Sequence, residues 1–378
     1  MTREYFVGLD VHSRQTTFVI EDAAGVVVER GSIPTTRESF EGLVKRRDLK
    51  GRALVGLETG NSAFFVAEIL LDLEVETQVI DAHEVRKKAN RPTQKCDTRD
   101  AFEICEGLRR GIYASIVQLP PRWARELREI LSRRRHFVTC AAREAVAVKR
   151  VLRSAGLPEL ARSSLRTERG WQKLQQQLVQ QPGQLAGFVN AHRRVWQAVR
   201  EQVTQLERLL EERVAKLDPP LRASVERLDR IPSFGRLVSI TVFAILFDAA
   251  RFESSKHVGS YAGFSPQTWQ SGDRHVQGHI TRRGSSELRA VLCEAAHCAR
   301  NLSHPLQPYF LKLTARRGYK LATVAVAHRL LRIAWRILRD GSEFDPAKLG
   351  VEPGPFEEKR LRHWRIKKSQ PGARSTSA

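Results

Sequence analysis

The feature that most constrains the fold is the alternation of strand-like and helical runs in the first eighty residues. YFVGLDV at 5–11 is an apolar run that delivers one carboxylate, Asp10. Directly behind it, TTFVIED and VVVERGSI bracket AAG, and β-branched runs around a glycine-bearing turn predict a hairpin. RESFEGLVKRR then has the pattern of a short amphipathic helix, and RALVGLETG of a second buried strand, this one ending in Glu58. NSAFFVAEILLDL predicts a helix capped by Asn61 or Ser62, and VETQVID a further strand. Three strands, helix, strand, helix, strand is the order of a mixed sheet covered by helices.

After Asp81 the character changes. HEVRKKANRPTQKCDTRDAFEICEGLRRG is a basic connection running into a helix that carries Asp97 and Asp100. IYASIVQLP reads as a short strand or extended exit, and Trp123 to Leu152 as an arginine-rich helix. Further on, Trp196, Val199, Val203, Leu206, Leu210, Val214 and Leu217 recur at steps of three and four, an a/d seam. The seam predicts an antiparallel coiled coil with the Trp123–Leu152 helix, the glutamine-rich QKLQQQLVQQPGQL forming a turn between helices. Whether the seam closes within one chain or between subunits is open at this stage. DPP at 218–220 ends it. Residues 221–345 read as mostly helical with one irregular glycine- and serine-rich insertion around 261–286, and the basic tail as disordered unless it lies on phosphates. No internal repeat is apparent.

The 378 residues carry 64 Lys and Arg against 42 Asp and Glu, a formal charge of +22. That excess points to a polyanion, and nucleic acid is favoured over a membrane surface because no long apolar span or signal-peptide pattern appears. Five cysteines, at 96, 105, 140, 293 and 298, have no zinc-type spacing and suit buried thiols in a reducing compartment. A cytoplasmic, nucleoid-associated protein of a prokaryote is the expectation.

In so basic a chain, acids at strand ends call for an explanation. Asp10 and Glu58 both stand at strand ends, where neighbouring strands could bring them to one edge of a sheet, and Asp97 and Asp100 share a helix face. Taken singly, each has an ordinary structural reading as a turn, cap or first-turn residue. Taken together, four converging carboxylates repel unless divalent cations sit between them, and such ions clamp a phosphodiester during displacement. Glu103 and Glu106 fall off the shared face or lie a turn further on, and Glu21 and Asp22 are expected to be solvated at a hairpin.

GLDVH, GLETG and KCDTRDA resemble the motif set of the DEDD transposases and recombinases of the insertion-sequence-110 family, including its 1111 subgroup. Further along, LDRIPSFGRLVSITVFAIL resembles a helix-hairpin-helix element, with Ser233 where family members commonly carry glycine. AGFSP, SGDR and GHITRRGSSELR resemble the family's C-terminal transposase domain, and ATVAVAHRLLRIAWRILRDGSEFDP its closing helices. The resemblance runs from about residue 5 to 346. It implies an RNase H-like (RuvC-type) α/β domain at 1–120, a helical coiled-coil region at 121–220, a mainly α transposase domain at 221–346 and a basic tail at 347–378.

By the same resemblance Asp10, Glu58, Asp97 and Asp100 hold Mg²⁺ or Mn²⁺, and Ser271 is a nucleophile that forms a covalent phosphoserine link to DNA. On residue chemistry alone Ser271 is equally a Ser-Gly turn. Ser265, Ser285, Ser286, Ser254 and Ser255 read as turn or cap residues, and Tyr261, Tyr309 and Tyr319 lack a matching motif. Arg274, His275, His279, Arg282 and Arg283, around the serine, and Lys87, Lys88 and Arg91, in the basic connection, are expected to hold phosphates. The implied partners are donor and target DNA, an element-encoded bridge RNA and further copies of the chain, as a dimer or tetramer. Two other readings compete: a metal-only nuclease of the junction-resolvase type, and a nucleic-acid-binding protein without catalysis.

Overall fold

The computed structural model describes residues 3–88, 96–158, 160–161, 163–178, 184–271, 274–301 and 304–349, and the chain divides into two compact units at Pro120/Pro121. The Arg91 site and nearly all of the basic tail lie outside the described residues.

The first unit opens with β1 (Tyr5–Val11), β2 (Gln15–Asp22) and β3 (Val27–Pro34), followed by α1 (Arg37–Arg47), β4 (Ala53–Glu58), α2 (Ala63–Asp72), β5 (Glu76–Ile80), α3 (Ala82–Lys88), α4 (Asp97–Arg109) and β6 (Ile116–Val117). The strands form one mixed sheet in the order β3-β2-β1-β4-β5-β6. β1 and β2 are antiparallel, as are β2 and β3, whereas β1, β4 and β5 run parallel. The sheet order departs from the chain order, because β2 and β3 fold back on one side of β1 while β4 and β5 follow on its other side. Ser62 occupies the cap position of α2, but its side chain makes no capping bond.

Alternation along the strands sorts the two faces. Val7, Leu9, Phe18, Ile20, Val55 and Leu57 pack with residues of α1 and α2 in one core. On the opposite face, Phe6, Val19, Leu54 and Ile80 pack with Ala101, Ile104, Cys105 and Leu108 of α4. Two glycines on that face let α4 lie close. A Cβ on Gly8 would fall 2.0 Å from the Ala101 carbonyl oxygen, and one on Gly56 would fall 2.4 Å from Leu108 Cδ1.

Glu21 is not solvated. It shares the α4 face, is 1 % exposed, and accepts a 3.1 Å hydrogen bond from Arg109 Nε, because the strand carries it under the helix rather than into the turn. Among the cysteines only Cys105 is buried; Cys96 and Cys298 are exposed and the other two half-buried, so the expectation of buried thiols fails at four of five positions.

The second unit contains α5 (Arg122–Ser154), α6 (Glu168–Leu178), α7 (Leu185–Ala215), α8 (Pro219–Leu228), α9 (Arg236–Leu246), α10 (Ser255–Tyr261), β7 (Pro266–Ser271), β8 (Arg274–Ile280), α11 (Ser286–His297), α12 (Gln307–Arg317) and α13 (Tyr319–Asp340). Ion pairs Glu126–Arg213, Arg134–Glu207 and Glu144–His192 set α5 and α7 antiparallel. The seam packs within the chain: Trp196 meets Trp171, while Leu210 and Val214 join Leu127, Leu131 and Val225. Part of the glutamine-rich stretch is helix α6, not turn, because Trp171, Leu174 and Leu178 at helical spacing give it a buried face. The glycine- and serine-rich insertion is likewise more regular than its composition suggests. β7 and β8 pair antiparallel, with Ser271 opposite Arg274 as the last pair before the turn.

Candidate metal centre and serine hairpin

The first unit brings acids together where β1 and β4 end. Leu9 pairs with Leu57 in parallel register, so Asp10 and Glu58 stand one residue further along adjacent strands, on the face that carries Gly8 and Gly56. With α4 held close by those glycines, its first turn brings Asp97 within reach of Asp10, whereas among the described residues Glu58 and Asp100 do not belong to the group that shares ligand distance. Asp97 is the first residue of the helix, not its cap, a position taken by Cys96.

Asp10, His12 and Asp97 offer ligand atoms that all lie within 4.8 Å of one another. His12 Nε2 is 3.2 Å from Asp10 Oδ2 and 3.7 Å from Asp97 Oδ1. Burial raises the Asp10 carboxyl above its ordinary value of 3.8, Asp97 and Asp100 raise it further, and His12 works in the opposite direction. Asp10 Oδ2 is buried without a hydrogen-bond partner; its contact with His12 is close enough for an ion pair, but no aligned hydrogen bond forms. An orphaned carboxylate oxygen beside a second carboxylate and an imidazole is the donor set of a divalent-cation site. Beside the cluster, His12, Arg14, Thr17, Ser32, Asp97 and Thr98 line an open cavity of about 600 Å³.

His12, inside GLDVH, is a ligand candidate that the quartet expected from the sequence does not include. The alternation that puts Asp10 on the α4 face puts His12, two residues on, beside it. A second missed signal is the tetrapeptide VGL-acid, present as Val7–Asp10 and again as Val55–Glu58. Each copy places a glycine two residues before a carboxylate on one face.

Of the expected phosphate-holding lysines, Lys88 is engaged elsewhere. It pairs with Glu84 at 2.8 Å and donates to the Ile112 carbonyl. The Ala114 and Ser115 amides also donate to Glu84. Burial works against the Glu84 charge, but these partners prevail and bring its carboxyl down to about 2. Lys87 lies in the last turn of the same helix.

In the second unit Ser271 ends β7, and Arg274 and His275 open β8. His279, Arg282 and Arg283 are exposed around the base of the hairpin. Burial lowers the Arg289 guanidinium, and the charges of Arg282 and Arg135 lower it again, so positive charge is concentrated there. Trp269, 57 % exposed on β7, was not singled out by sequence reasoning. Ser254 and Ser285 are helix caps that accept from His257 N and Leu288 N; Ser255 and Ser286 open their helices. Between α8 and α9, Ser233 has φ 71°, the left-handed region in which glycine is at ease.

Profiles of known families match both units. That of the DEDD transposase of IS110 type covers residues 7–156, and that described as the transposase IS116/IS110/IS902 family covers residues 225–310. A pilin gene-inverting protein of Moraxella lacunata is 29% identical over 148 residues, 38% of this chain and 46% of its own length. The chain thus spans less than half of that relative. A probable family 20 transposase of Pseudomonas aeruginosa is 25% identical over 297 residues, 75% of this chain and 83% of its own. The transposase of element IS1111A of Coxiella burnetii is 29% identical over 117 residues, 30% and 32% of the two chains. Among the described residues no helix is long and apolar enough to cross a membrane.

Proposed function

From the matches of residues 7–156 to the DEDD transposases of IS110 type and of residues 225–310 to the IS116/IS110/IS902 transposases, we propose that the chain recombines DNA for a mobile insertion sequence by way of a phosphoserine intermediate. The observation that carries the reading is the buried Asp10 Oδ2, with no aligned hydrogen bond, beside Asp97 and His12 in a chain of charge +22. Asp10, Asp97 and His12 would hold Mg²⁺ or Mn²⁺, with Glu58 and Asp100 completing its acidic surroundings. A bound divalent cation polarises a phosphoryl oxygen and eases ionisation of an attacking hydroxyl.

The chain's own residues do the rest. The Ser271 hydroxyl loses its proton as its oxygen bonds to phosphorus, and a deoxyribose hydroxyl of the DNA strand leaves with a proton. The phosphoserine ester retains the bond energy, so attack by a second strand's hydroxyl rejoins DNA and frees the serine without ATP. Arg274, His275, His279, Arg282 and Arg283 hold backbone phosphates around the hairpin, and Lys87 and Arg91 of the basic connection hold others. The α5–α7 pair is read as a coiled-coil arm, and the α8–α9 turn as a helix-hairpin-helix contact to backbone. An element-encoded bridge RNA pairs with donor and target, and copies of the chain assemble as a dimer or tetramer.

The test is to incubate purified protein with element RNA, donor and target DNA and Mg²⁺, and to look for a protease-sensitive protein–DNA adduct. The adduct is expected with the native chain and absent with Ser271→Ala. An adduct that persists in that variant removes Ser271 as nucleophile. Cleavage that continues without any adduct favours the metal-only nuclease.

A further inference from the structure

The second unit also holds a groove whose lining includes no residue of β7 or β8. It has a volume of about 660 Å³ and is bounded by α13, the start of α10 and Tyr309 of α12. Four arginines of α13 line it: Arg329, Arg332, Arg336 and Arg339. At about 100° per residue the four fall within about 80° of one another around the helix, and ten residues of rise extend them over about 15 Å. The other side of α13, with Val326, Leu330, Leu331, Ala334 and Ile337, is sealed into the core. The stripe is therefore fixed to a buried helix and faces the groove.

Opposing charge is sparse. Asp340 sits at one end, 3.4 Å from Arg336 and 2.7 Å from Arg339, and Glu253 stands exposed at the rim. Arg329 and Arg332 form no ion pair among the described residues. The Arg329 guanidinium lies 4.7 Å from the centre of the Tyr309 ring, and that of Arg339 4.5 Å from Trp335, contacts that hold the planar groups in place without neutralising them. Burial lowers the basicity of His328, on the groove wall, and the Arg332 charge lowers it further.

We propose that this groove is a second nucleic-acid site, taking two or three consecutive phosphates of one strand's phosphodiester backbone across Arg329, Arg332 and Arg336. Guanidinium forks suit phosphate oxygens, and a row with no matching row of acids favours a continuous polyanion over a peptide. The groove reads backbone, not bases, and it works independently of the acids and of Ser271.

The experiment measures binding of the full chain to labelled single-stranded DNA and single-stranded RNA of arbitrary sequence, without divalent cation, from about 50 to about 300 mM salt. The variant Arg329→Ala/Arg332→Ala should lower the slope of log affinity against log salt by about 1.4, at ~0.7 per single-strand phosphate contact, with DNA and RNA affected alike. Arg200→Ala/Arg208→Ala, which removes equal charge from exposed positions of α7, should lower it by less than half as much. Arg329→Lys keeps the charge and should keep the slope, and equal melting temperatures check that the fold survives. An unchanged slope, a loss equal to that of the α7 pair, or a loss confined to DNA or to RNA would overturn the proposal. Omission of divalent cation leaves the serine chemistry outside this test.

Discussion

At the residue scale, Asp10 pays most for its position. Its carboxyl is raised chiefly by burial and then by Asp97 and Asp100, so the ionised form is disfavoured in the folded protein. For an acid raised above its unfolded value, the associated stability is complete below the ordinary value of 3.8 and is lost as pH rises through the folded value. At neutral pH, with no divalent cation present, Asp10→Asn should therefore melt higher than the native chain by calorimetry, and the difference should vanish in acid. The same charge is what a cation needs. Cation affinity should fall as pH drops through the raised Asp10 value, with protons released on binding, and calorimetry in buffers of different ionisation enthalpy measures that release. A higher melting point combined with lost cation binding is the signature of a binding residue, and a purely structural aspartate would not give it.

The element that decides the site is α4, and its distance from the sheet is set by two glycines of unequal tolerance. Gly8→Ala drives a methyl into backbone, the Ala101 carbonyl and the Cys105 amide, which cannot move without shifting the helix. Destabilisation of about 1–3 kcal/mol or more is expected, together with weakened cation binding as Asp97 withdraws from Asp10. Gly56→Ala meets the end of the Leu108 side chain, which can rotate, so its cost should be smaller and cation affinity nearly unchanged. Urea unfolding and a cation titration on both variants separate the two cases. Equal effects would mean that the approach of α4 does not position the acids.

The same scale explains what the sequence disclosed. β-Branched runs and their separations mark the strands along the chain, because local pattern dictates strands on a half-buried sheet, whereas their order within the sheet comes from tertiary pairing. Glu21 was misjudged because its burial comes from a helix more than eighty residues later, which no local window contains. His12 was missed for a different reason: alternation places it beside Asp10, but only the tertiary approach of α4 brings Asp97 to both. The β7–β8 hairpin hides behind a Gly- and Ser-rich composition that suggests an irregular segment, although SGDR between alternating residues carries a two-residue hairpin signal. The Arg329–Arg339 stripe is plain at helical spacing, yet the groove that gives it meaning needs α10 and α12.

Over the whole molecule, a chain of charge +22 carries an acidic centre in its first unit, and the second unit carries arginines around the β7–β8 hairpin and along α13. That separation is what phosphoryl chemistry on a polyanion requires, since cations on the protein hold the backbone while carboxylates hold the ion at the bond that breaks. The most direct test of the account is a Mn²⁺ titration followed by electron paramagnetic resonance on the native chain, Asp10→Asn, Asp97→Asn and His12→Ala. The account predicts saturable binding by the native chain, its loss in both aspartate variants, and an affinity lowered at least about tenfold in His12→Ala. Native-like Mn²⁺ binding by Asp10→Asn would contradict it.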